Sequence, residues 1–498
     1  MTNHWIVLPV VWPLLVALCC LLPPFDTVTR YRRMLSFVGT LGLLLISLVL
    51  WQQSAGGQSQ LYQLGNWPAP FGISLLLDKV SVLMLMLTAV LGLAALLYAN
   101  AGDDEQGPFF HSLFHFQLMG INGAFLTADL FNLFVFFEVL LIASYSLLIH
   151  GGGKAKTKAA VHYVVLNLLG SALFLFALAL IYGAAGSLNM LDLAVRLQHL
   201  SASQQLLMQG AAALLLLVFG LKAAMMPLHF WLGSAYASAS PAVAALFAVM
   251  TKVGIFSVLR VFLQVFADAD YISSWALSLL WWGGLLTIVV GAVAVLASED
   301  FRRLVAYLVV LSVGAMIAGL SLGTPSALQA VLYYAVHSTF ACAALFLLAD
   351  LIAEQRGKAA DRLVTGRRVT QPLLLGCSFA VLALSATGMP PFSGFIGKLM
   401  LLQSVSPGWQ MVLYWGAILL SSFVVLLALS RSGVVLFWQV SGRNQDSRLA
   451  GARRASAVIL LTAASVLLSV FAGPLTEWCL QGIGQFSQLV QLIQGGQL

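Results

Sequence analysis

Apolar residues run along this chain in blocks of about twenty, separated by short stretches that collect most of the charge and much of the glycine and proline. A helix needs about 20 apolar residues to cross a bilayer core, so each block predicts a membrane span. Fourteen blocks result, at roughly 4–23, 34–53, 73–99, 109–127, 129–150, 158–182, 206–228, 241–266, 273–297, 303–322, 327–353, 371–403, 411–438 and 455–473. Spans seven and twelve are too long for one clean crossing, and proline interrupts both: Pro227 in the first, Pro390 and Pro391 in the second. Residues 475–498, rich in Gln and Gly with scattered Leu and Ile, read as an interfacial tail without chemistry. The predicted fold class is an all-α membrane protein.

Composition narrows the class. Of the 498 residues 61% are hydrophobic and 8% charged, against about 25% charged in a soluble domain. The formal charge of +7 would suit nucleic acid, but the basic residues are scattered through loops rather than gathered on one face, and no nucleic-acid partner is expected. The five cysteines form no CxxC or Cys/His ligand pattern, which argues against a metal centre or disulfide framework. No Lys or Arg precedes the first apolar run at Trp5, so that run reads as a retained helix rather than a signal peptide.

Loop charge sets an orientation. Loops after odd-numbered spans hold eighteen cations: Arg30, Arg32, Arg33, Lys154, Lys156, Lys158, Arg302, Arg303, Arg356, Lys358, Arg362, Arg367, Arg368, Arg431, Arg443, Arg448, Arg453 and Arg454. Loops after even-numbered spans hold Arg196 alone. A span missed or invented midway would destroy that split. The positive-inside rule then predicts both termini on the outer, periplasmic side of a bacterial inner membrane. The acidic triplet Asp103-Asp104-Glu105 also falls inside, where acidic residues carry little weight.

A repeat is visible between spans six and eleven. Ala160-Val161-x-Tyr163-xxx-Asn167 matches Ala330-Val331-x-Tyr333-xxx-His337 at an offset of 170. A proline-broken span follows one helix later in each half. The chain therefore divides into an N-terminal three-helix segment (1–108), a first five-helix repeat (109–266), a second, inverted repeat (273–440) and a C-terminal helix and tail (455–498). Inverted repeats with interrupted helices in matching places mark the ion pathway of secondary transporters. Chance likeness between apolar helices is the competing explanation, and the paired breaks favour the repeat.

Few ionisable residues remain at membrane depth: Glu138 in span five, Lys222 before the break of span seven, Lys252 in span eight, His337 in span eleven and Lys398 after the break of span twelve. A charge at a span centre costs roughly 2.5–3.5 kcal/mol, so three lysines and a glutamate cost on the order of 10–14 kcal/mol if charged and unpaired. One carboxylate cannot neutralise three lysines, which weakens the alternative of static ion pairs. Lysine is lowered in pKa by burial and raised by a nearby carboxylate, and His titrates near neutrality. The five residues thus read as a proton relay, with the helix breaks freeing carbonyls and admitting water beside Lys222 and Lys398.

Other polar residues have plainer readings. Asp78 and Lys79 adjoin and would neutralise one another; Arg260 would snorkel; Asp129 would cap span five. His229, His162 and Asp350 are candidates for access paths but are more simply satisfied polar groups. His111 and His115 have metal-ligand spacing without a third ligand, so no metal is assigned.

The segments FNLFVFFEVLLIASYSLL, LVFGLKAAMMPLHFWLGSAYASASPAVAALFAVMTKVGIFSVLRV, SEDFRRLVAYLVVLSVG, LYYAVHSTFACAALF and ATGMPPFSGFIGKLMLLQ resemble the D-type subunits of the Mrp-type (Mnh, Pha) multisubunit cation/proton antiporters. That family is similar to the antiporter-like membrane subunits of respiratory complex I. The resemblance extends from about 70 to 440. It implies that Glu138 pairs with Lys222, that Lys252, His337 and Lys398 continue a polar axis, and that the chain joins a hetero-oligomer of several different subunits without a redox cofactor of its own. One departure is Gly233, where relatives often carry proline; its expected effect is on loop geometry.

The function so implied is inward proton flow coupled to export of Na⁺ or K⁺ from a subunit embedded in lipid. The alternative is a redox-driven pump subunit of complex I or a membrane-bound hydrogenase; Lys398 favours the antiporter, since the commonest equivalent complex I subunit tends to carry glutamate there. A purely structural scaffold ranks third, because it has no use for intramembrane lysines.

Overall fold

The computed structural model describes residues 3–442 and 449–494. Arg443 and Arg448 of the basic loops, and 1–2 and 495–498 of the terminal segments, lie outside the described residues. The chain is helical almost throughout: α1 (Leu8–Cys19), α2 (Thr29–Ser54), α3 (Lys79–Ala99), α4 (Phe110–Leu126), α5 (Leu130–Ile149), α6 (Lys154–Ala185), α7 (Met190–Arg196), α8 (Ala202–Ala223), α9 (Phe230–Ser238) and α10 (Pro241–Arg260). The remainder are α11 (Asp270–Ala297), α12 (Phe301–Leu320), α13 (Pro325–Arg356), α14 (Pro372–Thr387), α15 (Ser393–Gln403), α16 (Trp409–Gly433), α17 (Ala452–Val470), α18 (Ala472–Ile483) and α19 (Gln485–Gln494). Among the described residues, eleven helices are long and apolar enough to cross a membrane. A small antiparallel hairpin, β1 (Gln60–Gln63) with β2 (Ser74–Leu77), interrupts the helices.

Helix starts follow local chemistry. Asp78 caps α3 by accepting the Ser81 amide at 2.7 Å, and Asp129 caps α5 through the Asn132 amide at 2.8 Å, each satisfying a donor that the first turn leaves open. Proline opens α10, α13 and α14, where its missing N–H costs nothing.

The helices α10 and α13 form the centre; the apolar window of each is wholly buried. Around them α2, α6, α16 and α17 turn rows of Leu, Val and Phe outward, as expected for faces against lipid or other apolar partners. The two 32-residue helices, α6 and α13, each pack against both halves of a broken helix: α6 against α8 and α9, α13 against α14 and α15.

Loops sort to two ends. At one end Arg33 binds Asp104 and Glu105, Arg454 binds Asp103 and Glu354, and Arg302 binds Asp350, which also accepts the Tyr98 hydroxyl at 2.7 Å. Burial, and then the Asp350 carboxylate, push Asp103 up to about 7. For its neighbour Asp104 burial works the same way, but hydrogen bonds from His111 and Arg33 outweigh it and hold the carboxyl at about 2. At the other end the hairpin meets the loops before α5 and α7, with Leu75 bridged to Thr127 and Asp129 to Asn189.

Four local expectations need correcting. Asp78 is not neutralised by Lys79. It pairs at 2.7 Å with Arg260, while Lys79 turns to Gln481 of α18, because neighbouring side chains in a helix do not face each other. Arg260 does not snorkel: it is 2% exposed and also binds Gln264 and Ser81. Span seven does not end at 228, since the chain re-enters a helix at α9. Gly233 consequently lies inside α9 rather than in a loop, where an added Cβ would stand 2.9 Å from the Tyr307 ring.

Candidate functional site: polar groups along the bundle interior

The five ionisable residues singled out above fall into three groups inside the bundle. In the first, Glu138 of α5 and Lys222 of α8 are joined through α6. The Ser171 hydroxyl donates to the Glu138 carboxylate, and the Lys222 ammonium lies 3.4 Å from both the Ser171 oxygen and the Asn167 carbonyl. The expected direct Glu138–Lys222 pair is absent from the ion pairs of the described residues; the serine stands between them. Lys222 also sits 5.8 Å over the Phe137 ring, a favourable place for a desolvated cation.

The second group is Lys252 on α10, fully buried, with the Ser312 hydroxyl of α12 at 3.5 Å. Helix α10 comes close to the end of α8 because residue 254 is glycine: a Cβ there would lie 2.6 Å from the Ala223 nitrogen. That close approach brings the Lys222-bearing end of α8 against the middle of α10, where Lys252 lies.

The third group is built on the α14–α15 break. His337 of α13 shares a hydrogen bond of 2.9 Å with Ser393, and Ser393 lies within 3.4 Å of Ser385 and of Ser465 from α17. Lys398 donates to the Ala386 and Thr387 carbonyls at 3.1 and 2.9 Å and to Ser422 of α16 at 2.9 Å. Those carbonyls belong to the last turn of α14, whose helical partners were lost at the break. Gly394 makes this fit possible, since a Cβ there would meet the Ser385 carbonyl oxygen at 1.8 Å and the His337 ring at 3.0 Å.

A cavity of about 20 Å³ links the second and third groups, touching Ser312, His337, Cys342 and Ala386. It is large enough for one water, which needs about 10–15 Å³. A single water there would face the Lys252 partner, the His337 ring and the residue that receives Lys398.

None of the five residues takes part in an ion pair among the described residues. The lysines are 4%, 0% and 7% exposed at 222, 252 and 398, His337 is buried, and Glu138 is half-buried. Such an arrangement holds amines on neutral hydroxyl and carbonyl oxygens. It leaves each able to gain or lose a proton without breaking a charge pair.

Sequence reasoning missed the serines. Ser171, Ser312, Ser393 and Ser422 carry the contacts to the ionisable groups, yet serine in an apolar span is commonplace and often bonds its own helix, so the sequence offered no signal. The secondary candidates lie elsewhere. Exposed His162 binds the Lys158 carbonyl at 3.0 Å. His229 sits in the α8–α9 break against Phe230. His111 and His115 face different partners, Asp104 at 3.1 Å and Ser36 at 2.9 Å.

Comparison with known proteins gives consistent matches. Residues 127–428 match the family model described as NADH:quinone oxidoreductase/Mrp antiporter, TM. The D-type subunit of a probable K⁺/H⁺ antiporter of Rhizobium meliloti (strain 1021) is 41% identical over 95% of this chain and 93% of its own length. The D-type subunit of the Na⁺/H⁺ antiporter of Bacillus subtilis (strain 168) is 34% identical over 96% of this chain and 95% of its own. Among solved structures, a chain of the Mrp complex from Dietzia sp. DQ12-45-1b superposes with a TM-score of 0.88 at 26% identity, covering 100% of both chains.

Proposed function

The chain belongs to the NADH:quinone oxidoreductase/Mrp antiporter family of multi-pass membrane proteins, and from that premise we propose that it is the proton-carrying D-type subunit of a multisubunit Na⁺/H⁺ or K⁺/H⁺ antiporter. The observation that carries the reading is three buried lysines held on serine and carbonyl oxygens with no carboxylate in ion-pair reach among the described residues.

In this mechanism a proton enters at Glu138 and Lys222, with Ser171 as the switchable link between them. It passes by Lys252 and the one-water cavity to His337, and leaves by way of Lys398. Protonating one amine raises the cost of protonating the next, so occupancy of one group drives release from its neighbour. Arginine could not serve, because its charge does not titrate.

The same reading takes the chain as fourteen spans with both termini outside, built as two inverted five-helix units over 109–266 and 273–440. Its support is the way α6 and α13 each clasp a broken helix, together with the sorting of the basic loops to one end. Half-burial of Glu138 at membrane depth fits a further subunit covering it, since a lipid-facing carboxylate is costly.

The test is transport. Everted vesicles bearing the intact complex should show Na⁺- or K⁺-induced dissipation of a pH gradient formed without NADH oxidation. Proton movement that requires NADH or another electron donor would instead assign the chain to a redox-driven pump.

A further inference from the structure

One cavity among the described residues lies away from the bundle interior. It is a crevice of about 760 Å³ where the first turns of α2 and α17 meet the end of α3, with Arg30, Arg33 and Arg453 around it and Met34, Phe37 and Leu97 in its wall. Both α2 and α17 are apolar enough to cross a membrane, so their first turns lie at a membrane boundary, at the depth of lipid headgroups. The crevice therefore sets guanidinium groups above an apolar wall at the place where a phospholipid changes from phosphate to acyl chain.

The three arginines are not equally occupied. Arg33 is held by Asp104 and Glu105 at 2.6 and 2.8 Å, which also neutralises the Glu105 carboxylate at the rim. Arg453 gives one N–H to the Asn100 carbonyl at 3.1 Å and keeps the rest of its fork. Arg30 is exposed, with no ion pair or hydrogen bond among the described residues. Two guanidinium forks are thus left for an anion, and such forks match phosphate oxygens in pairs.

Below the arginines the surface continues the lipid pattern. Met34, Val38, Leu41, Leu45 and Leu48 are all exposed, and their spacing places them on one stripe of α2. The stripe begins at Met34 inside the crevice and runs about 21 Å down the helix at 1.5 Å per residue, enough for most of an acyl chain. A water-soluble anion would use the arginines but not this lane.

We infer that the α2–α3–α17 crevice is a binding site for an anionic glycerophospholipid, with Arg30 and Arg453 on the phosphate and the α2 stripe along an acyl chain. Nothing in this depends on which ion the complex transports. The lipid would tie α2 to α17 across the end of α3, beside the Arg33–Asp104 and Arg454–Asp103 pairs.

The test uses the complete, detergent-purified complex, titrated with phosphatidylglycerol or with phosphatidylcholine and followed by native mass spectrometry. Wild type is expected to retain phosphatidylglycerol in preference to phosphatidylcholine. Arg30→Gln, at an exposed position with no bonds to lose, should weaken that retention about fivefold, and Arg30→Gln with Arg453→Gln more, while antiport in vesicles persists. Equal retention of the two lipids by wild type, or unchanged phosphatidylglycerol binding in both variants, would overturn the site. Efficient cross-linking of a Met34→Cys variant to another subunit of the complex would also overturn it, by assigning the crevice to protein.

Discussion

Glu138 and Lys222 do not touch; the Ser171 hydroxyl stands between them, donating to the carboxylate and lying 3.4 Å from the ammonium. A hydroxyl in that position can serve both states of the lysine, accepting from the ammonium or donating to the free amine. In the proposed relay, this geometry makes the pair a switch with a removable link rather than a fixed salt bridge.

Removing the link should slow transport without dismantling the protein. Ser171→Ala is expected to lower antiport about tenfold, the cost of about 1.4 kcal/mol for a lost hydrogen bond to a charged group, and Ser171→Thr should keep most activity. Glu138→Ala and Lys222→Ala should abolish antiport while the complex still assembles. The measurement is ion-induced fluorescence recovery in everted vesicles, with assembly read by co-purification. Loss of assembly in these variants would make the groups structural.

The third group makes a parallel demand. Lys398→Ala leaves the Ala386 and Thr387 carbonyls without their donor and removes a titrating amine, so antiport should fall by at least tenfold. His337→Gln, which can still bond Ser393 but cannot carry a proton, should fall nearly as far with little change in thermal stability. A His337→Gln variant that transports normally would remove the histidine from the path.

The Asp78–Arg260 pair is a separate matter, fully buried and remote from the relay in the contacts it makes. Breaking a buried pair from one side typically costs about 3–5 kcal/mol, so Arg260→Ala should lower the thermal midpoint markedly. Arg260→Lys should be intermediate, because one ammonium cannot reach Asp78, Ser81 and Gln264 with the geometry of the guanidinium fork. Replacing both partners, Asp78→Asn with Arg260→Met, should recover part of the loss. A fully stable Arg260→Ala complex would contradict the buried pair.

The loop before α4 predicts a pH dependence of known sign. Asp103 titrates at about 7 in the folded chain against an ordinary 3.8, so the folded form holds its proton more tightly. Its contribution to stability is complete below about 3.8 and is lost as pH rises through about 7. Asp104 has the opposite sign, its contribution being lost only as pH falls toward about 2. The groups facing Asp103 are Arg454, Arg302, Asp350 and Glu354. Asp103→Asn should raise the thermal midpoint more at pH 8 than at pH 5, with the gain shrinking further toward pH 4, checked by a thermal scan of the purified complex across that range.

How much of this was legible beforehand divides along physical lines. A charged residue in an apolar run is a strong signal because lipid penalises it so heavily, and Glu138, Lys222, Lys252, His337 and Lys398 stood out for that reason. The breaks were marked by proline, though α9 was missed because the interruption runs from 224 to 229 and hides the return to helix behind it. Partners were harder. Asp78 lies next to Lys79 in the chain, yet its true partner Arg260 is on another helix, and only packing could reveal that. The serines carried no signal at all, since their importance depends wholly on which side chain arrives opposite them.

The void beside His337 has a consequence for what this chain can let past. A chamber with room for one water admits no alkali metal ion wearing its hydration shell; such an ion would need either more room or a ring of oxygens in exchange for that shell. A hydrogen ion needs neither, because it is handed along a bond and the molecule that carries it stays put. In the proposed exchange, the void beside His337 is thus a passing place for a proton and not for a hydrated metal ion.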